Sequence, residues 1–191
     1  MSERQRYQVI YADPPWPEDP SAIKTKTAHA HRHFRTMPFG KLSGLRVSEL
    51  ADDAQSVIFL WTTFRHMPLA VSLIGAWGFR YKREGFVWVK TKTDGQPIYS
   101  LAFDTGACAE VCLLGTRGKR IVPSKRMVGS VVLSGRGKLA KKPGEVRRRI
   151  EEMYPWARKL ELFARERAPG WTCLGDELDG YDMDESIRRL L

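Results

Sequence analysis

Short apolar runs alternate with polar or helical stretches along this chain. Residues 47–51 and 67–77, the latter closed by Gly78, have helical spacing, and a further helix is predicted from Pro143 to about residue 153. Strands that alternate with helices are typical of an α/β domain whose mostly parallel sheet is flanked by helices. Five apolar, β-branched and aromatic runs predict the strands, namely 7–12, 56–62, 85–90, 109–114 (ended by Gly115) and 159–164.

The predicted sheet points to one edge as the place for chemistry. In open α/β sheets, ligands bind at the carboxyl ends of the strands. Asp13 follows the first strand and Arg165 follows the fifth, so both are predicted to lie at that edge. Residues 17–44 are polar and lack periodicity, and a loop of that length in a compact domain is usually functional.

The charge balance favours a polyanionic partner. The 191 residues, a length typical of a single domain, include 32 Lys and Arg against 22 Asp and Glu, for a net charge of +10. Residues 117–149 hold twelve basic side chains and one acid, and residues 24–46 hold six basic side chains, three histidines and no acid. Such stretches suit nucleic acid. A solvated basic face is the alternative, and part of the charge is matched by six acids in residues 176–191.

Cysteine and histidine usage predicts neither a disulfide framework nor a metal site. The three cysteines cannot form a framework of paired bridges, and their odd number suits a reducing cytoplasm. His29, His31 and His33 alternate in the polar loop, where histidines more often face solvent or phosphate than a metal. No apolar stretch approaches the roughly 20 residues that a membrane-spanning helix needs. We therefore expect a cytoplasmic protein without a metal or a membrane contact.

Asp13, Pro14, Pro15 and Trp16 form the sharpest motif in the chain. Two successive prolines fix φ and remove two amide donors, so the carbonyls here are expected to be rigidly aimed and without a partner from their own segment. A carboxylate before the prolines and an indole after them could accept hydrogen bonds from a planar amine and stack on its ring. The motif alone is equally compatible with a proline-stiffened turn that places a core tryptophan.

The same four residues resemble the catalytic motif of the MT-A70 family of S-adenosylmethionine-dependent adenine methyltransferases. The resemblance extends over nearly the whole chain in one order. It continues through residues 33–37 (HFRTM), 59–61 (FLW), 77–79 (WGF), 87–90 (VWVK), Glu110 with 113–115 (LLG), 117–119 (RGK), 142–143 (KP), 159–165 (KLELFAR), 170–171 (GW) and 175–178 (GDEL). This chain has Phe34, Ala109 and Asp176 where the family commonly has Tyr, His and Asn.

The resemblance implies a Rossmann-like methyltransferase fold in a permuted order, with the catalytic motif before the cofactor motif. It implies one methyltransferase domain over residues 1–191, without a separate target-recognition domain. The catalytic candidates are Asp13, Pro14, Pro15 and Trp16: Asp13 and the Pro14 carbonyl would hold the adenine amine, with Trp16 near the base. The cofactor candidates are Asp13, Lys142, Arg165, Asp176 and Glu177, with Lys142 on the methionine carboxylate and Arg165, Asp176 and Glu177 on the ribose hydroxyls.

The expected activity is methylation of adenine N6 in nucleic acid. DNA of a prokaryotic or phage-infected cell is the favoured substrate. An adenine inside a duplex must be flipped out to reach such a pocket. An RNA substrate and a catalytically silent subunit remain alternatives, and both the monomer and the homodimer stay open. The candidate nucleic-acid contacts are His33, Arg35, Lys90, Arg117, Lys119, Arg120, Lys125 and Arg126.

Overall fold

A seven-stranded sheet forms the centre of the protein. The computed structural model describes residues 5–17, 36–100, 105–124, 127–135 and 141–191. The strand order is β5-β3-β4-β2-β1-β6-β7, and β4 alone runs antiparallel to its two neighbours. The strands are β1 (Val9–Ala12), β2 (Gln55–Thr62), β3 (Arg80–Lys90), β4 (Ala109–Gly118), β5 (Val131–Ser134), β6 (Lys159–Leu162) and β7 (Trp171–Leu174).

Helices cover both faces of this sheet. They are α1 (Phe39–Gly44), α2 (Met67–Ala76), α3 (Gly144–Met153), α4 (Asp176–Asp179) and α5 (Met183–Leu190), with 3₁₀ turns at Val47–Glu49 and Phe64–His66. Buried side chains alternate along each central strand between two cores. Ile58 and Leu60 of β2 join the core under α1, α2 and α5, whereas Val57 and Phe59 join the core under α3. The expected mostly parallel α/β sheet with flanking helices is confirmed.

Several predicted boundaries are wrong for local reasons. Gly115 does not end the fourth strand but lies inside β4, where a Cβ would come within 2.8 Å of Ile58 Cγ2. The glycine therefore serves the close packing of α2 on the sheet. The fifth strand stops at Leu162 because Phe163 takes a positive φ of 60°. The helix predicted over residues 47–51 is only a 3₁₀ turn.

Candidate functional site

A cavity of about 800 Å³ opens at the carboxyl edge of β1, β2 and β6. This volume lies within the usual range for ligand pockets. The amino end of β4 reaches the same edge because β4 is antiparallel to β2, with Val111 opposite Thr62. The cavity is lined by all the predicted catalytic and cofactor residues, namely Asp13, Pro14, Pro15, Trp16, Lys142, Arg165, Asp176 and Glu177.

The two prolines after Asp13 turn the chain sharply at the cavity floor. The Trp16 amide donates to the Pro14 carbonyl at 2.9 Å, and the Met37 amide donates to the Pro15 carbonyl at 2.8 Å. The expectation that these carbonyls have no partner from their own segment is therefore wrong for Pro14, which accepts from Trp16 in a γ-type turn, whereas the donor to Pro15 comes from the segment before α1. A carbonyl oxygen has two lone pairs, so Pro14 keeps one position for a ligand donor.

Trp16 is fixed from two sides. Its indole N–H donates to the Trp61 carbonyl at 3.0 Å, which ties it to the end of β2. Its ring stacks on His66, with centroids 5.8 Å apart and planes inclined by 11°. His66 Nδ1 lies 2.9 Å from Thr63 Oγ1, and Nε2 lies 3.2 Å from the Pro17 carbonyl oxygen. A carbonyl only accepts, so in this contact Nε2 carries the proton.

Four side chains of alternating charge form a row, and three of them, Asp13, Lys142 and Glu110, line the cavity. Lys142 Nζ lies 2.8 Å from Asp13 Oδ2 and 3.2 Å from Glu110 Oε2. Glu110 Oε1 in turn lies 2.5 Å from Lys90 Nζ. Glu110 and Lys142 are the most buried members, with side chains 11% and 13% exposed. Each inner charge therefore has an opposite charge on both sides, which offsets the cost of removing it from water.

The pKa values of the two inner groups move in the directions that keep both charged. Burial raises the pKa of Glu110, but the charge of Lys142 and the hydrogen bond from Lys90 outweigh it, so that pKa lies below its ordinary value. Burial lowers the pKa of Lys142, but Asp13 and Glu110 outweigh it, so that pKa lies above its ordinary value. Glu110 and Lys142 are thus both ionised at neutral pH.

Two cavity residues escaped the sequence analysis as site candidates. Glu110 was noted only as part of a family motif, although an acid inside the apolar run AEVCLL is a signal for a buried functional carboxylate. His66 gave no signal, because it lies at the start of an ordinary helical pattern. Its contact with Trp16 depends on how β1 and β2 lie side by side.

The four predicted nucleic-acid contacts within the described ranges fall at opposite edges of the sheet. Lys90 is at the cavity edge, where its ammonium is paired with Glu110. Arg117, Lys119 and Arg120 are at the end of β4, which is the opposite edge of the sheet. His33, Arg35, Lys125 and Arg126 lie outside the described residues.

Within the described ranges, no three His, Cys, Asp or Glu side chains come together as metal ligands. No helix in those ranges has the length and apolar character needed to span a bilayer.

Comparison with known proteins gives a family match that spans most of the chain. The MT-A70 family model matches residues 7–177. The type II methyltransferase M.MunI of a Mycoplasma species is 33% identical, over 92% of this chain and 79% of its own length.

The eukaryotic relatives are longer. A probable N(6)-adenosine-methyltransferase MT-A70-like protein of Oryza sativa subsp. japonica is 33% identical over 96% of this chain but only 25% of its own length. The human N(6)-adenosine-methyltransferase catalytic subunit METTL3 is 29% identical, over 93% of this chain and 29% of its own length.

Proposed function

The chain belongs to the MT-A70 family of adenine methyltransferases, and we propose that it methylates adenine N6 in DNA, with the catalytic centre at Asp13. The observation that carries the proposal is the placement of the Asp-Pro-Pro-Trp segment. The segment follows β1 directly and lines the same cavity as Lys142, Arg165, Asp176 and Glu177. The side chains that the family resemblance assigns to catalysis and to cofactor binding thus line one cavity.

The cavity fits S-adenosylmethionine by the chemistry of its donors and acceptors. The cofactor would bring a carboxylate, an ammonium, two ribose hydroxyls and a methyl group activated on a sulfonium. Lys142 would hold the carboxylate through a charge-assisted hydrogen bond, and Asp13 would remain close to the ammonium. Asp176 and Glu177 are exposed carboxylates at the cavity wall and would accept bonds from the hydroxyls, beside Arg165.

The catalytic segment would activate the amine by positioning it. An amine attached to an aromatic ring is a poor nucleophile because its lone pair is delocalised into the ring. The Asp13 carboxylate and the second lone pair of the Pro14 carbonyl would accept the two amine hydrogens and favour a pyramidal nitrogen. S-adenosylmethionine, when bound, would supply the methyl group on a sulfonium leaving group, and Asp13 or solvent would take up the proton that the amine loses. Most of the rate enhancement would come from orientation and exclusion of water.

We favour DNA over RNA because the bacterial type II methyltransferase M.MunI is 33% identical to this chain over 92% of its residues. A silent subunit is disfavoured because the Asp-Pro-Pro-Trp motif is intact and lines the cavity.

A single incubation tests both the reaction and its substrate. The protein would be incubated with S-adenosylmethionine labelled on the methyl group and with duplex DNA, single-stranded DNA or RNA, each followed by nucleoside analysis. We expect labelled N6-methyldeoxyadenosine from DNA. Label found only in N6-methyladenosine from RNA would overturn the choice of DNA, and label in neither nucleoside would overturn the proposed function.

His66 is predicted to act as a positioning residue through Trp16. His66→Ala removes the ring that stacks on the indole and the donor to the Pro17 carbonyl. One hydrogen bond and one aromatic pair are each worth on the order of 1 kcal/mol, about 2 kcal/mol together, so kcat should fall by up to about thirtyfold. The dissociation constant for S-adenosylmethionine should change less than threefold, as measured by calorimetry.

Two further variants separate the two contacts of His66. His66→Phe keeps a ring against Trp16 and loses both hydrogen bonds, whereas His66→Gln keeps an amide donor and loses the ring. Each should recover part of the lost kcat. Parent-like kcat in His66→Ala, or no recovery in either conservative variant, would contradict a positioning role.

A further inference from the structure

A second charged feature lies at the edge of the sheet opposite the cavity. It is a shallow depression of about 380 Å³ at the ends of β3 and β4. Three of its seven lining residues are the cations Arg80, Lys82 and Arg117, and none is acidic. The uncharged residues of the lining are Gly78, Phe79, Thr116 and Gly118, and the two glycines add no side chain to the depression.

One cation of this depression is held in place by the protein. The Arg117 guanidinium donates to the Ser48 carbonyl at 2.7 Å and pairs with Asp53. Its side chain is 24% exposed. A guanidinium has five N–H donors, so these two partners leave others for a ligand. A fixed guanidinium loses little freedom when an anion binds, which favours binding.

The other two cations of the depression are exposed to solvent and can contact a ligand. Arg80 and Lys82 are exposed, and neither has an ion pair with an acid among the described residues. Lys119 and Arg120 are exposed as well and continue the positive surface just past β4. Guanidinium and ammonium groups around a shallow depression suit the binding of a phosphate.

The depression is remote from the catalytic cavity. In β2, Ser56 pairs with Arg117 at the depression, and Thr62 pairs with Val111 at the cavity. Six residues at about 3.3 Å each separate these positions by roughly 20 Å along the strand. In duplex DNA, successive phosphates of one strand are about 3.4 Å apart along the helix axis. A phosphate in the depression would thus lie about six base pairs or more from an adenine in the cavity.

From this arrangement we propose that the depression formed by Arg80, Lys82 and Arg117 binds a backbone phosphate of the nucleic acid, several nucleotides from the target adenine. The inference rests on the proposed function for the identity of the polymer. The contact anchors long substrates and carries no base information, because phosphate contacts position a protein without specifying sequence. Substrates too short to reach the depression gain nothing from it.

The test removes Arg80 and Lys82 and leaves Arg117, whose bonds to Ser48 and Asp53 connect β4 to the segment before β2. For Arg80→Ala/Lys82→Ala, binding to a 25-base-pair duplex should weaken about threefold to thirtyfold, as expected for losing two exposed charge contacts. The slope of log affinity against log salt should flatten by up to about 1.8, because each neutralised phosphate contributes about 0.9. Both quantities come from fluorescence anisotropy of the labelled duplex without any methyl transfer.

Matched single variants separate this site from general charge. Lys82→Ala should flatten the slope by about 0.9, whereas Arg158→Ala removes the same charge from an exposed residue of the same sheet edge, just before β6, and should leave the slope unchanged. Equal effects of these two variants, or an unchanged slope in the double variant, would overturn the proposal. Inorganic phosphate that competes in the parent but not in the double variant supports a phosphate site.

A kinetic comparison tests the remoteness of the site. For Arg80→Ala/Lys82→Ala, KM should rise for the 25-base-pair duplex and stay unchanged for a single-stranded trinucleotide with a central adenine, with kcat unchanged for both. A KM that rises equally for both substrates would overturn the remote contact. The two proposals can fail separately. If the variants show the predicted change in slope but the parent transfers no methyl group, the proposed function fails and the phosphate site stands.

Discussion

Asp13→Ala is expected to lower kcat by roughly 10²-fold or more, by analogy with the loss of one preorganised hydrogen-bonding group at a reacting centre. The side chain follows β1 and lines the cavity, so its loss removes an acceptor for the amine but no core contact. Single-turnover methylation of an adenine-containing duplex measures the effect on the chemical step.

The fold should tolerate this substitution. Lys142 loses one partner but keeps Glu110 at 3.2 Å, so the melting temperature should stay within a few degrees of the parent. Asp13→Asn keeps the size of the side chain and one acceptor oxygen, and it should retain more activity than Asp13→Ala. Methyl transfer by Asp13→Ala within a few-fold of the parent rate would contradict the role given to the carboxylate.

Lys142→Ala is expected to weaken the binding of S-adenosylmethionine by about ten- to hundredfold, since a hydrogen bond to a charged group contributes about 1.5–3 kcal/mol. Calorimetry with S-adenosylmethionine measures this, and affinity for duplex DNA should change much less. Lys141→Ala is the matched control, because Lys141 is the next residue, is half exposed and pairs with Glu166 outside the charged row. A fall in DNA affinity with unchanged cofactor affinity would assign Lys142 to nucleic acid instead.

The same variant should also change how stability depends on pH. Lys142 helps hold the pKa of Glu110 below its ordinary value, so in the parent the ionised Glu110 favours the folded state above the unfolded pKa of about 4.3. Without Lys142, burial is opposed by Lys90 alone, and the charged carboxylate costs more at neutral pH. The difference in free energy of unfolding between parent and variant should be largest near pH 7 and shrink as the pH falls below about 4.3, the unfolded value, and through the lowered pKa of Glu110. Urea unfolding of both proteins between pH 7 and acid pH measures this difference. A difference in free energy of unfolding that does not change with pH would contradict the charge coupling.

Local sequence predicted the centre of the sheet well, because fully buried strands are continuous apolar runs. The runs at β1, β2 and β6 are buried throughout or nearly so, and each was predicted close to its observed position. Strands at the periphery carry mixed signals. The first half of β3 is exposed and charged, and the edge strand β5 has Val131 and Leu133 exposed, so neither was predicted. Their pairing comes from neighbouring strands rather than from their own pattern.

The candidate site shows the same division between local and long-range information. Asp13 and Arg165 were expected at one sheet edge because each follows a predicted strand, and both line the cavity there. The contact between Lys142 and Glu110 joins residues far apart in the chain, and spacing alone cannot predict it. Local sequence also could not predict that Arg117 lies at the edge of the sheet opposite the cavity, because this depends on β4 running antiparallel to β2.

The reversed direction of β4 leaves the connection between β3 and β4 free to vary in length. Because Val89 pairs with Ala109, the chain leaves β3 and enters β4 at the same edge as the cavity. Residues added between these strands would extend from the same edge of the sheet as the cavity without shifting the register of any strand. Surface loops accept added length at small entropic cost, about 0.6 kcal/mol for each doubling. New target preferences could therefore be grafted at this hairpin while Asp13, Lys142 and Glu110 keep their places.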